Sequence, residues 1–166
     1  MNKKTIEGYK CFDKGLTNRY GIKFEVGKTY HCDKYIQFGN EGHGFHMCKR
    51  MEDTFRYFDT TDGKIDICKV TGFGKIHEFN DEYNGYYDMY ACENIKINKL
   101  LTREEIIMYG LKLDSFRVCR FIQTLRLTPE EVLLFKRKFQ NDQEILSYIA
   151  YYQENDKEIF NRKRGR

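Results

Sequence analysis

The chain has 166 residues, a net charge of +4, 40% hydrophobic residues, 33% charged residues, 13 Phe, 13 Tyr and a single proline. That length suits one domain, or a domain with a helical appendage, and can bury a core without disulfide staples. The composition excludes low-complexity and collagen-like chains and points to a soluble globular protein.

Up to about residue 101, short aromatic and β-branched runs are separated by Gly, Asn and Asp, which is strand and turn punctuation. Strands are expected at Gly8 to Phe12, Ile22 to Glu25, Thr29 to Cys32, Gly44 to Cys48, Ile65 to Thr71, Lys75 to Glu78 and Ala91 to Leu100. In "KIDICKV", Ile65 and Ile67 point one way and Asp66, Cys68 and Val70 the other, so this strand is expected to be covered on both faces. Between strands, Met51, Phe55 and Phe58 fall at i, i+4 and i+7, which predicts a helix running through Phe58 after the Gly44–Cys48 strand. "TGFGK" at 71 to 75 reads as a turn, and Asn84-Gly85 is a strong turn signal.

From Thr102 onward the rhythm is helical. Thr102 with Glu105 forms a capping box, and Gly110 is expected to stop that helix. A helix from Ser115 to Thr124 would bury Val118, Phe121, Ile122 and Leu125. Thr128 as cap, Pro129 at the first helical position and Glu131 start the next, with Val132, Phe135 and Phe139 as its buried stripe. Asp142 caps a last helix carrying Ile145, Ile149 and Tyr152. The fold class expected is therefore α+β. A mixed, mostly antiparallel sheet with one crossing helix occupies residues 1–101, and a helical annex packed on it occupies 102–166, ending in a basic tail.

No window approaches the 18 or so apolar residues needed to cross a bilayer, and the basic start has no apolar core of a leader, so no membrane association and a cytoplasmic location are expected. Cysteines at 11, 32, 48, 68, 92 and 119 occur singly, as suits reduced, mostly buried thiols. His46 and Cys48 share a strand face and are the candidate metal ligands; His31 and Cys32 are adjacent and would face opposite sides, which leaves a structural zinc site short of a second pair. "VGKTY" lacks the glycine of a phosphate-binding loop, since Ile22 stands there. Cys48, two residues from His46 and just before a helix, is the best placed thiol for a nucleophile.

The segments "YKCFDKGL", "FEVGKTY", "GFHMC" and "ENIKINKLLTREEI" resemble a poorly characterised domain family common in bacteriophages and mobile elements, over roughly residues 8 to 107. The resemblance implies a phage or prophage accessory protein and carries no assigned catalytic residues. The order of "GFHMCKRMEDTFRYF", "IDICKVTGFG" and "ENIKINKLL" is also similar to that in ADP-ribosyltransferases of the polymerase type. That likeness implies an NAD site in which Tyr57 stacks on nicotinamide. The family's first-strand histidine has no counterpart near Tyr9 and Lys10, and Tyr86 stands where the catalytic glutamate belongs. Only a shift brings Glu82 or Glu93 into its place.

The function expected first is a non-catalytic accessory protein that binds and inhibits a host protein or ribonucleoprotein, such as a defence nuclease in the manner of an anti-CRISPR, with no cofactor. An ADP-ribosyltransferase-like enzyme and a nucleic-acid-binding module are the alternatives. The surface expected to carry binding is basic: Arg117, Arg120, Arg126, Lys136, Arg137 and Lys138 on the helices, with Arg162, Lys163, Arg164 and Arg166 at the terminus.

Overall fold

The computed structural model describes residues 4–39, 42–58, 60, 64–81 and 86–155. The chain divides into two compact units with the boundary between Leu101 and Thr102. The first holds a five-stranded antiparallel sheet and the second a set of helices, so the fold is α+β.

In the sheet unit β1 spans Thr5–Asp13, β2 Thr29–His31, β3 Phe45–Cys48, β4 Ile65–Asp81 and β5 Tyr86–Leu100. β1 pairs along its length with β4, from Thr5↔Phe73 to Asp13↔Ile65. β4 pairs with β5 from Asp81↔Tyr86 to Cys68↔Leu100. The other edge of β5 takes β3 at residues 89–92 and β2 at 94–96. A single register pair, Tyr9↔Cys48, joins β3 back to β1. The pairing β1–β4–β5–β3–β1 therefore closes into a ring whose β1–β3 seam rests on that one register pair, while β2 pairs on its β5 side alone. Phe12, Phe24, Met47, Cys68, Val70, Tyr90, Cys92, Ile95 and Ile97 form the core of the unit. Ile67 is also buried, on the opposite face of β4 from Cys68 and Val70, so this strand is covered on both sides.

Three expectations are corrected here. Ile22 to Glu25 is not a strand. The Asn18 side chain accepts the backbone N–H groups of Tyr20 (3.0 Å) and Ile22 (2.9 Å), which holds the backbone in a local turn instead of a ladder, and only Lys23 makes an isolated bridge, to Thr17. "TGFGK" is not a turn between two strands, because β4 runs through it. Gly72 lies where a Cβ would come within 2.7 Å of the Met47 sulfur, and Gly74, at φ +89°, forms a bulge in which residues 74 and 75 oppose only Glu93. The helix after β3 is shorter than its apolar stripe suggests. α1 covers Met51–Thr54 and continues as a 3₁₀ turn over Phe55–Tyr57, with Phe58 already extended. Its start at Arg50 has no side-chain cap, and so short a helix depends on tertiary contacts, among them the burial of Met51 and Phe55 and the Thr54 hydroxyl against Cys11. The Asn84-Gly85 turn lies outside the described residues, between the paired ends of β4 and β5.

In the helical unit α2 spans Arg103–Leu111, α3 Ser115–Thr124, α4 Pro129–Lys138 and α5 Gln143–Ile149, followed by a π-helical turn over Ala150–Glu154. Each α-helix has a side-chain cap, from Thr102, Asp114, Thr128 and Asp142 in turn, and the two threonine caps are complete capping boxes. Gly110 does not stop α2. It is buried within the helix because a Cβ there would meet the Phe121 ring at 2.5 Å, and the helix ends at Lys112. Val118, Phe121, Ile122, Phe135, Ile145 and Ile149 fill the core, with the Phe121 and Phe135 rings stacked at 5.8 Å. The Gln153 side chain accepts from the Leu127 N–H and donates to the Ile122 and Leu125 carbonyls, satisfying the backbone between α3 and α4. Arg103 makes a two-pronged ion pair with Glu131, linking α2 to α4. Among the described residues, no helix is long and apolar enough to cross a membrane.

Candidate functional site

The alternation of β1 places Gly8, Lys10 and Phe12 on one face and Tyr9 and Cys11 on the other. Lys10 thus occupies an inward position where the pattern calls for an apolar side chain. Its amine lies 5.6 Å from the centroid of the Phe12 ring and donates a 2.6 Å hydrogen bond to the His46 carbonyl on β3. Burial pushes the Lys10 pKa down to about 8, and the nearby Arg19 guanidinium pushes in the same direction.

The segment before β3 is held down by two histidines. His46 Nε2 accepts the Gly39 N–H at 3.0 Å, and His77 Nδ1 accepts the Phe38 N–H at 2.8 Å. The Phe38 ring stacks on Phe79 at 5.2 Å and leans on His46 at 4.7 Å. Gly44, at φ +104°, makes the sharp entry into β3, where a Cβ would press on the Cys92 carbonyl and on Ile36. Burial holds the His46 pKa down to about 4, with the Lys10 charge adding to the effect, so the ring is a neutral acceptor at pH 7.

These elements enclose a cleft of two chambers. The smaller, of about 100 Å³, is lined by Tyr9, Lys10, Arg19, Phe38, His46 and Phe58 among others. The larger, of about 650 Å³, opens toward Tyr20, Ile22, His31, Lys34 and His43. Lys10, Cys11, Arg19, His46 and Phe58 line both and mark where the chambers meet.

Other residues singled out in the sequence are used differently. Cys48 is buried, and burial raises its thiol pKa, with Asp53 and Glu52 of the acidic first turn of α1 adding to the effect. The depression expected from a helix start is thereby overturned, and a protonated buried thiol is a poor nucleophile. The Cys11 thiol is pushed up to about 12 by burial and sits 3.3 Å from the Thr54 hydroxyl. His46 and Cys48 do share a face, with the His46 Nε2 lone pair directed at Gly39. Among the described residues, no group of three or more His, Cys, Asp or Glu side chains is arranged to hold a metal ion. His31 bonds Asn94 through Nδ1 at 2.8 Å.

Glu93 lies at the bulge, not in the cleft, where its carboxylate accepts the Lys75 N–H at 3.1 Å. Glu82 and the side chain of Tyr57 lie outside the described residues. Of the basic set, Arg117 is buried and so does not join a solvent-facing surface. Its guanidinium, like that of half-buried Arg120, lies 5.8 Å from the Phe116 ring. Arg126 is half-buried, Lys136 pairs with Glu154, and Arg137 and Lys138 are exposed at the end of α4. Arg162, Lys163, Arg164 and Arg166 lie outside the described residues. Sequence reasoning missed Lys10 and Arg19. A lysine at an inward strand position, between Gly8 and Phe12, was the available signal for the first; Arg19 stands in a loop and carried none.

No curated protein and no solved structure matches the chain. A family model described as a domain of unknown function, DUF7666, matches residues 6–109. The matched stretch includes the whole lining of both chambers. By that match the chain belongs to the DUF7666 family.

Proposed function

We propose that this protein acts by binding rather than by catalysis, as an accessory protein of a phage or mobile element that engages and inhibits a host protein or ribonucleoprotein, a defence nuclease being the leading class of target. The mobile-element part of this reading follows the sequence resemblance of residues 8 to 107. The observation that carries the binding part is the outward face of α4. Leu133, 61% exposed, precedes Arg137 by four residues, and Leu134, 44% exposed, precedes Lys138 by four, so each exposed leucine stands one turn from an exposed cation. Adjacent exposed leucines beside an arginine, held on a rigid capped helix, support a partner-binding surface, arginine being enriched in such surfaces. Val132 and Phe135 anchor the opposite face in the core, so the outward residues are free to serve recognition without cost to folding.

The test is co-purification of the full chain from host cells, with quantitative mass spectrometry of what it retains, compared with the triple variant Leu133→Glu, Arg137→Glu, Lys138→Glu. The reading expects the retained partner to fall about tenfold or more, and to dissociate more readily as salt rises. An identical partner profile for the two proteins would overturn it.

A further inference from the structure

We propose that the cleft of the sheet unit is a nucleotide-binding site, with the phosphate held by Lys10 and Arg19 where the two chambers meet and the base lying in the larger chamber beside Tyr20 and Phe58. This inference concerns the sheet unit alone and does not rest on the reading given above.

Charge is the first support. Lys10 and Arg19 line both chambers, and among the described residues neither forms an ion pair. The smaller chamber has no carboxylate among its described lining residues, and the larger has only Asp33 against Lys10, Arg19 and Lys34. Two cations turned toward one cavity repel each other, and Lys10 also loses hydration there, a cost that a bound anion offsets. The depressed pKa of Lys10 is the mark of that cost. An arginine and a lysine on one small chamber match the oxygens of a phosphate, the first through its planar fork and the second as a point charge.

Shape and lining are the second support. A chamber of about 650 Å³ is the size of a site for a ligand of several tens of atoms, well beyond what a bare phosphate fills. Its lining joins Tyr20, which is 76% exposed and stands at the rim, with Phe58 at the junction and the half-buried Phe45 further in. A planar base stacks on such rings, whereas an aliphatic or sugar phosphate would make little use of them. The site is also built before the ligand arrives: β1 and β3 fix Lys10 through the His46 carbonyl, and the two histidine acceptors fasten the loop that carries Phe38.

The test is calorimetric titration of the full chain at low salt with ADP, GDP, adenosine, inorganic pyrophosphate, and a short single-stranded oligonucleotide with and without a 5′-phosphate. The nucleotides are expected to bind, with affinity falling as salt rises, and adenosine and pyrophosphate to bind each about tenfold or more weakly, since each supplies half of the contacts. Arg19→Ala, at an exposed position without an ion pair among the described residues, is expected to leave the melting temperature unchanged and to weaken nucleotide binding about tenfold. Lys10→Met should weaken it similarly, with circular dichroism verifying the fold. Nucleotide binding that is indifferent to Arg19→Ala, or pyrophosphate binding as tightly as ADP, would overturn the proposal. So would oligonucleotide binding regardless of the 5′-phosphate with none to free nucleotides.

Discussion

The two units are stabilised in contrasting ways. In the helical unit each α-helix begins at its own cap, Thr102, Asp114, Thr128 or Asp142, and each of these caps lies within three residues of the backbone N–H it satisfies. In the sheet unit the decisive contacts join residues far apart: Gly8 against the Cys48 carbonyl, Gly72 against Met47 and Cys92, Gly74 against Glu93. Local signals therefore set where the helices start, and close approach between distant strands sets where the sheet tolerates a side chain. Damage in the helical unit should scale mainly with lost side-chain volume or a lost cap, Gly110 against the Phe121 ring being the exception, whereas in the sheet unit adding as little as one methyl group at Gly8 or Gly72 should do harm.

The sharpest probe of the helical unit is Phe135→Ala. The ring is fully buried and stacks between Phe121 and Phe139, so its loss should destabilise this unit by about 3–5 kcal/mol in denaturant unfolding monitored by circular dichroism. The matching probe of the sheet unit is Gly8→Ala. Its new Cβ would press on the Cys48 carbonyl oxygen, which is backbone and yields little, and about 2–3 kcal/mol of destabilisation is expected from so small an addition. A loss under about 0.5 kcal/mol there would break the contrast.

A third probe uses pH. The His46 pKa is about 4 in the folded protein against an ordinary 6.5, so the unfolded chain binds more protons between those values. Stability present above pH 6.5 should accordingly fall as the pH drops toward 4, by about 1–2 kcal/mol after allowance for the partial exposure of the ring. Melting curves of the wild type and of His46→Gln, which keeps a neutral acceptor for the Gly39 N–H, should diverge in slope over that window. Parallel curves would remove His46 from the account. The smallest expected effect is Thr128→Ala, which deletes one cap and should cost about 1 kcal/mol in the same unfolding measurement.

The same contrast explains what could be read from the sequence. The starts of α2, α4 and α5 were legible because a cap announces itself within four residues, whereas α3 was placed by its apolar residues and its Asp114 cap went unread. Gly110 misled, because its glycine serves the Phe121 ring from another helix and not a helix end. In the sheet unit Gly72 and Gly74 looked like a turn for the same reason: the partner that demands a missing side chain, Met47 or Glu93, is far away in sequence. Asn18 hid a local turn inside what resembled a strand at Ile22 to Glu25. Of the cleft, the sequence singled out His46 only as a candidate metal ligand and Phe58 only as part of an apolar stripe, and Lys10 and Arg19 are brought beside them by strand pairing and a loop path that no local pattern encodes.

Closure of the ring also orders events in time. The β4–β5 pairing can zip outward from Asp81↔Tyr86, each step closing a slightly longer loop at little added entropic cost. The Tyr9↔Cys48 pair brings together residues 39 apart and is the only register pair between its strands, so it has the least to gain until its neighbours are in place. The hairpin is thus the natural nucleus of this unit. The Lys10–His46 junction, seated on the single-pair seam, is expected to form after the hairpin, with low φ-values for substitutions at Lys10 as the check.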